Sequence, residues 1–575
     1  MTSANARRGA ALPVLGAAEP AHAAAGGGGA AAASASAGFH GAPTGAAHVD
    51  VAADAVRDAG AARIGFVTLG CDKNTVDSER YAASLAGAGA RLDAVADADV
   101  VVINTCGFID AAKEESIETI LDAVRLKREG RVRAVVAVGC LVQRYKRELE
   151  REIPEVDLFL GLTDASRLVP ELRARGLLPQ QQPANMARPL RLLSTGATRH
   201  SAFLKISEGC DHGCAFCAIP LMRGKHRSMP IERLVAEAQE LEARGAVELC
   251  LVSQDTTWYG RDLQRGIAPA EEFYIGRTFA GMAGDADGGA GASGAPRRER
   301  GPSSRRSTGL LPDLLRALLD GTDVPWFRLF YMYPSGIRPE LVELIASEPR
   351  ILPYLDMPIQ HGSDTMLARM RRPERRGTIL ERVAWLRSAV PELTLRTTVI
   401  VGFPGETDRE YEDLLGLLEE VRFDRVGAFP YSVEEGTAAA SMPGAVGQSL
   451  KRERLERLLD LQRAIGLDRQ EAWIGRETAT LVEARVGRAS GMDDPLDVGT
   501  GVDRSGGAVA PAHAAREPGS ADDDAPRGAV GRTKAQAPEV DGVVHIDDAR
   551  GARVGEMIRV RITGALEDDL IGECV

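Results

Sequence analysis

The sequence predicts an α/β protein in three ordered parts. These are an N-terminal parallel-sheet α/β domain over 62–175, a partial (β/α)6 barrel over 196–472 and a small C-terminal β-barrel over 475–575. Three observations carry that prediction. Three near-continuous apolar, β-branched runs in the first part are separated by helical patterns, as expected of strands buried on both faces of a parallel sheet. Six strand-like runs alternate with helical patterns over 200–435, and such repetition builds parallel barrels. The last part carries short alternating strands instead, which suit a small closed barrel.

The runs of the first part are "IGFVTLGC", "DVVVINTC" and "RAVVAVGC", and each ends in a cysteine: Cys71, Cys106 and Cys140. The intervals of 35 and 34 residues fit successive strand–helix units. In an open parallel sheet the carboxyl ends of the strands share one edge, where ligands bind. The three cysteines are therefore expected to meet around a shared ligand. The competing reading is three buried structural cysteines, since free cysteine behaves as a small hydrophobe.

In the second part the runs are "AFLKIS", "ELCLVSQ", "WFRLFY", "YLDMPI", "LTLRTTVIVGF" and "RVGAFPY". Polar residues follow several of them: Ser253-Gln254-Asp255, Gln360-His361 and Gly402 to Thr407. The catalytic face of such barrels lies at these strand ends. In the third part, "MIRVRITGA" alternates Ile558, Val560 and Ile562 against Arg559 and Arg561. Three stretches lack apolar periodicity and are expected to be disordered: an Ala/Gly-rich tail over 1–60 and insertions at 264–308 and 488–530.

Composition narrows the class. The 575-residue chain has 44% apolar and 26% charged residues, ordinary for a globular protein. Its net charge of −12 argues against a general nucleic-acid binder. No apolar run is long enough to cross a bilayer. The start loosely resembles an export signal, but its apolar stretch is short and Glu19 follows it directly. A cytoplasmic protein without membrane association is expected. Eight cysteines are too few for a disulfide scaffold and point to metal or catalysis.

Cys210, Cys214 and Cys217 stand at C-x3-C-x2-C spacing directly after "FLKIS". Structural zinc takes four protein ligands, and no fourth is well placed: His212 lies inside the loop and His226 nine residues beyond Cys217. Ferredoxin-type clusters use four cysteines at other spacings. Three cysteines can hold three irons of a 4Fe-4S cluster and leave the fourth open, and an open coordination position marks catalytic metal sites.

This loop, with Phe216 before Cys217, resembles that of the radical S-adenosylmethionine (SAM) superfamily. "LGCDKNTVDSE", "NTCGFI" and "VGCLVQRY" resemble the N-terminal domain of its methylthiotransferases. "ISEGCDHGCAFCAIPLMRGKHRS", "VSQDTTWYG", "YMYPSGI", "LDMPIQHGSD" and "RTTVIVGFPGET" are similar to the RimO branch, which acts on ribosomal protein S-twelve. "QAPEVDG" and "ITGALEDDLIGE" resemble the TRAM domain of that branch.

The resemblance implies two 4Fe-4S clusters and two SAM molecules. Cys210, Cys214 and Cys217 would hold the catalytic cluster, whose open iron binds SAM and yields a 5′-deoxyadenosyl radical. Cys71, Cys106 and Cys140 would hold a second cluster that carries the sulfur to be methylated and transferred. The acceptor would be the β-carbon of an aspartate on a small-subunit ribosomal protein. The electron donor would be a flavodoxin or ferredoxin, and a monomer is expected. Barrel position suggests Gln254, Gln360 and Arg396 as SAM contacts. It also suggests the Gly402–Gly405 turn, where glycine lets a ligand approach backbone. Two alternatives stay open: a tRNA adenosine as acceptor, and a non-catalytic Fe-S or zinc protein that binds RNA. Residues 531–575 hold six Lys/Arg against nine Asp/Glu. That balance suits a basic protein partner better than phosphates, with Glu567, Asp568 and Asp569 the expected acidic contact.

Overall fold

The computed structural model describes residues 47–48, 62–180, 190–192, 200–267, 310–486 and 528–575. In the N-terminal domain, β1 (Arg63–Thr68), β2 (Val100–Thr105), β3 (Ala134–Gly139) and β4 (Leu158–Leu160) pair in parallel in that order. Every residue of β2 and β3 is buried, because both sheet faces are covered. Val100, Val102, Val136 and Val138 pack with Tyr81, Ala82 and Leu85 of helix Asp72–Gly87. The alternate residues Val101, Ile103, Val135 and Ala137 pack with Ile120, Val124 and Leu149 of helices Asp110–Arg128 and Cys140–Glu152. Short strands flank β1: Arg91–Leu92 in parallel and Ala47–His48 antiparallel.

The second domain is a six-stranded parallel sheet in strict chain order. Its strands are β5 (Ser201–Lys205), β6 (Glu248–Val252), β7 (Trp326–Leu329), β8 (Ile351–Asp356), β9 (Thr394–Val401) and β10 (Arg425–Pro430). The third is a closed barrel of β11 (Glu477–Val486), β12 (Gly528–Thr533), β13 (Val544–Ile546), β14 (Met557–Ala565) and β15 (Leu570–Cys574). Along β14, Val560 and Ile562 are buried while Arg559 and Arg561 are exposed, as the alternation predicts.

The expected tail and insertions lie largely outside the described residues. The expected bounds shift: Ala47–His48, expected inside the tail, pair with β1, Gln264, expected to open an insertion, ends a short helix, and Gly528–Val530, expected inside an insertion, begin β12 and pair with β11. The small barrel is pinned to the large one by buried charge. Glu248 of β6 accepts from Arg328 at 2.7 Å and from Arg532 at 2.6 Å, and Arg532 also bonds Glu483. Among the described residues no helix is long and apolar enough to cross a membrane.

Candidate active site: two three-cysteine loops on one seam

The carboxyl ends of β1, β2 and β3 deliver Cys71, Cys106 and Cys140 to one sheet edge. Cys71 precedes helix Asp72–Gly87, and its carbonyl accepts from the N–H groups of Asn74 and Thr75. Close approach of these loops needs glycine: a β-carbon at Gly70 would lie 2.9 Å from Cys106 Sγ, and one at Gly107 2.9 Å from Leu141 Cα. Asn74 binds the loops together. Its Nδ2 donates to the carbonyls of Leu69 (2.7 Å) and Thr105 (3.2 Å), and Cys140 Sγ lies 3.8 Å from its Oδ1. All three cysteines are free. Burial pushes the Cys106 thiol up to about 12, with Cys71 and Cys140 adding to it, and the Cys140 thiol to about 11.

The second loop follows β5. Cys210 N–H donates to Gly224 O, Ala215 N–H to Met370 O, and Cys217 N–H to Cys214 O. His212 stacks on Tyr333, and its Nε2 lies 2.6 Å from Asp255. Cys214 Sγ has Tyr333 Oη at 3.8 Å and Arg372 Nη1 at 3.9 Å. His226 Nε2 lies 3.2 Å from Ser228 Oγ. His226 Nδ1 is buried without a hydrogen-bond partner. Burial raises the Cys210 and Cys217 thiols to about 12.

Among the described residues no His, Cys, Asp or Glu group of three or more closes on a single metal ion. The donor chemistry of each loop is three sulfurs. Thiolates are the ligands of iron–sulfur clusters, whereas structural zinc takes four donors. Three thiols per loop are therefore a donor set of the kind that iron–sulfur clusters use, one short of a closed structural zinc site.

The two loops are neighbours. Cys140 shares an apolar cluster with Leu162, Ala218 and Met222, and Ala218 directly follows Cys217. Beside them, Arg144 bonds both Gly107 O and Glu434, and Glu434 also takes Lys113.

The residues expected to contact SAM differ in availability. Both polar side-chain atoms of Gln254 are buried without a hydrogen-bond partner. Buried polar atoms without a partner are uncommon in folded proteins. Gln360 has a left-handed backbone (φ 72°), and its N–H and carbonyl bond Thr398 and Ile400. Arg396 is committed to Asp356 at 3.2 Å, with Asp541 at 3.6 Å. Gly402 and Gly405 have φ of 71° and 78°. The space a β-carbon would fill is taken by Lys451 at Gly402 and by Arg369 at Gly405, rather than left open. Phe216 packs against the cluster of Met366, Met370, Phe403 and Tyr431.

Sequence reasoning missed the positions around Cys214: Tyr333, Arg372 and the His212–Asp255 pair. Only the polar run after β6 signalled Asp255. The acidic end of the chain is also less free than expected. Glu567 pairs with Arg463 at 2.7 Å, and Asp568 lies 3.8 Å from Arg425. Asp569 bonds His545 and Val543 N–H, which gives it a structural task inside the barrel.

Comparison with known proteins agrees with this architecture. Residues 63–161 match the uncharacterized protein family UPF0004, 204–283 and 305–418 the radical SAM superfamily, and 520–575 the TRAM domain. Relatives from several organisms bear the name ribosomal protein uS12 methylthiotransferase RimO. The one from Anaeromyxobacter sp. (strain K) is 43% identical over 90% of this chain and 94% of its own. Those from Desulforudis audaxviator and Geobacter sulfurreducens are 40% and 38% identical over 89% of this chain, covering 96% and 98% of theirs. Among solved structures, the radical SAM methyltransferase TsrM from Kitasatospora setae aligns with a TM-score of 0.43 at 13% identity, over 64% of this chain and 73% of that one. Fold and matches together define a radical SAM enzyme, a methylthiotransferase. The chain belongs to the RimO family.

Proposed function

We propose that this protein methylthiolates the β-carbon of an aspartate on ribosomal protein uS12, using a 4Fe-4S cluster on each cysteine loop and two SAM molecules. The observation that carries this reading is the shared seam: Cys140 of one loop packs against Ala218, which adjoins Cys217 of the other. When bound, these cofactors supply a carbon-centred radical and a methylated sulfur, chemistry that acid–base side chains cannot provide at an unactivated carbon.

The chain supplies placement. Cys210, Cys214 and Cys217 hold one group at the mouth of the large barrel, and Cys71, Cys106 and Cys140 hold the other at the sheet edge. Tyr333 and His212 wall the Cys210–Cys217 loop beside Cys214. Gln254 offers an amide to a polar ligand at the barrel's strand ends. A flavodoxin or ferredoxin delivers electrons, and the enzyme acts as a monomer.

The relatives' name supports uS12 as the substrate, and the acidic balance of the small barrel favours a basic protein over RNA. The test is incubation of the reconstituted enzyme with purified uS12, SAM and a reductant. One methylthio group should appear on an aspartate. Deoxyadenosine formed without any change in uS12, but with a methylthiolated adenosine in added tRNA, would assign the tRNA reaction instead.

A further inference from the structure

The seam between the two cysteine loops is held by a polar cluster closed to water. Asn74, Lys205, Arg223 and Glu208 are each at most 4% exposed and Asp77 is 5% exposed. Two carboxylates face two cations, so the cluster is neutral. Lys205 bonds Asp77 and, at 2.7 Å, Glu208. Arg223 Nη1 donates to Glu208 at 2.8 Å and to Asp77 at 3.2 Å. Its other nitrogen, Nη2, donates to Asn74 Oδ1 at 2.6 Å.

These residues are tied to the cysteines on both sides. Asn74 is three positions after Cys71, donates to carbonyls adjoining the Gly70 and Cys106 turns, and has Cys140 Sγ against its oxygen. Glu208 is two positions before Cys210, and Arg223 is six after Cys217. The carbonyl of Gly224, next to Arg223, accepts from Cys210 N–H. One guanidinium therefore touches an asparagine that organises the first loop and a carboxylate that leads into the second. A planar fork with two nitrogens in fixed relation transmits position as a flexible ammonium cannot.

We propose that the Asn74–Arg223 hydrogen bond, braced by Asp77, Lys205 and Glu208, is a positioning device that sets the separation of the two three-cysteine sites. This rests on the two-cluster reading above. In that reading the group made at one site must be used beside the other, so a small error in separation wastes radicals without preventing their formation. Arg223 and Asn74 are positioning residues and touch no reacting atom.

The test uses the full-length, reconstituted protein. Arg223→Lys keeps the charge balance and a bond to Glu208 or Asp77 but cannot also reach Asn74. A second variant, Arg223→Met with Asp77→Asn, removes one charge of each sign and keeps the cluster neutral. In both, iron content should match the wild type. The ratio of deoxyadenosine to methylthiolated product should rise about tenfold or more, since catalysis falls steeply with misplacement. The paramagnetic resonance spectrum of the fully reduced protein should show an altered spin–spin interaction between the clusters. An unchanged ratio with an unchanged spectrum would overturn the proposal, as would iron loss from either site. Should the wild type make no methylthiolated product at all, the proposed function fails, and the spectrum alone still decides the positioning role.

Discussion

The ring of His212 lies flat on that of Tyr333, with centroids 3.9 Å apart and planes inclined by 8°. The Arg372 guanidinium lies 3.7 Å from the same tyrosine ring. Two groups cannot share one face at such distances, so Tyr333 is sandwiched, with its hydroxyl at Cys214. Tyr333→Phe keeps the sandwich and should leave SAM cleavage within about twofold, because a long sulfur contact contributes little. Tyr333→Ala removes both stacking partners, worth about 1–3 kcal/mol together. It should lower the deoxyadenosine rate about tenfold or more, measured as product per cluster.

The amide of the half-buried Gln254 is itself buried and unpaired, a state that costs about 1–3 kcal/mol. Gln254→Leu should therefore raise the melting temperature of the protein without SAM. It should also abolish most of the further rise that SAM produces in the wild type, because binding to the native state stabilises it by mass action. A variant that melts lower without SAM, or keeps the full SAM-induced shift, would show that the amide serves packing alone.

Replacing Cys210, Cys214 and Cys217 by alanine should leave about half the iron, since one thiolate trio then remains to bind a cluster. Deoxyadenosine formation should cease. Replacing Cys71, Cys106 and Cys140 should also leave about half the iron on the same reasoning, with SAM cleavage retained and methylthio product lost. Iron assays with product chromatography check both, and complete iron loss from either folded variant would contradict two independent sites.

Glu248 gives a pH dependence. Burial alone would raise its pKa, but Arg532 and Arg328 outweigh that and hold it at about 2, below its ordinary 4.5. A carboxylate with a depressed folded pKa stabilises fully above its unfolded pKa, and that contribution is lost as pH falls through the folded value. Wild-type stability should thus decline between pH 4.5 and about 2 as Glu248 takes up a proton. Glu248→Gln leaves the buried Arg328 without a carboxylate and takes one of two from Arg532, and should cost about 3–5 kcal/mol at neutral pH. Its melting temperature should be lower at pH 7 and less sensitive over the acid range. Thermal melts across pH check both.

The strands and the cysteine positions were legible because each depends on local pattern. Apolar runs ending in Cys71, Cys106 and Cys140 report a shared sheet edge, and C-x3-C-x2-C reports a ligand loop without reference to the rest of the chain. What lay beyond reach depends on partners far away in sequence. Asn74 meets Arg223 across 149 positions and Cys214 meets Tyr333 across 119, and no periodicity encodes such pairs. Glycine misled for a related reason. The left-handed turns at Gly402 and Gly405 mark close approach, but Lys451 and Arg369 make that approach. Likewise the charge at Glu567–Asp569 is real, but His545 and two arginines neutralise part of it.

The most direct test of the central claim is mass spectrometry of ribosomal protein uS12 and of tRNA nucleosides from a strain lacking this gene, beside the parent strain. The account predicts that uS12 loses the mass of one methylthio group on a single aspartate while the tRNA nucleosides stay unchanged. An unmodified tRNA adenosine with uS12 intact would contradict it.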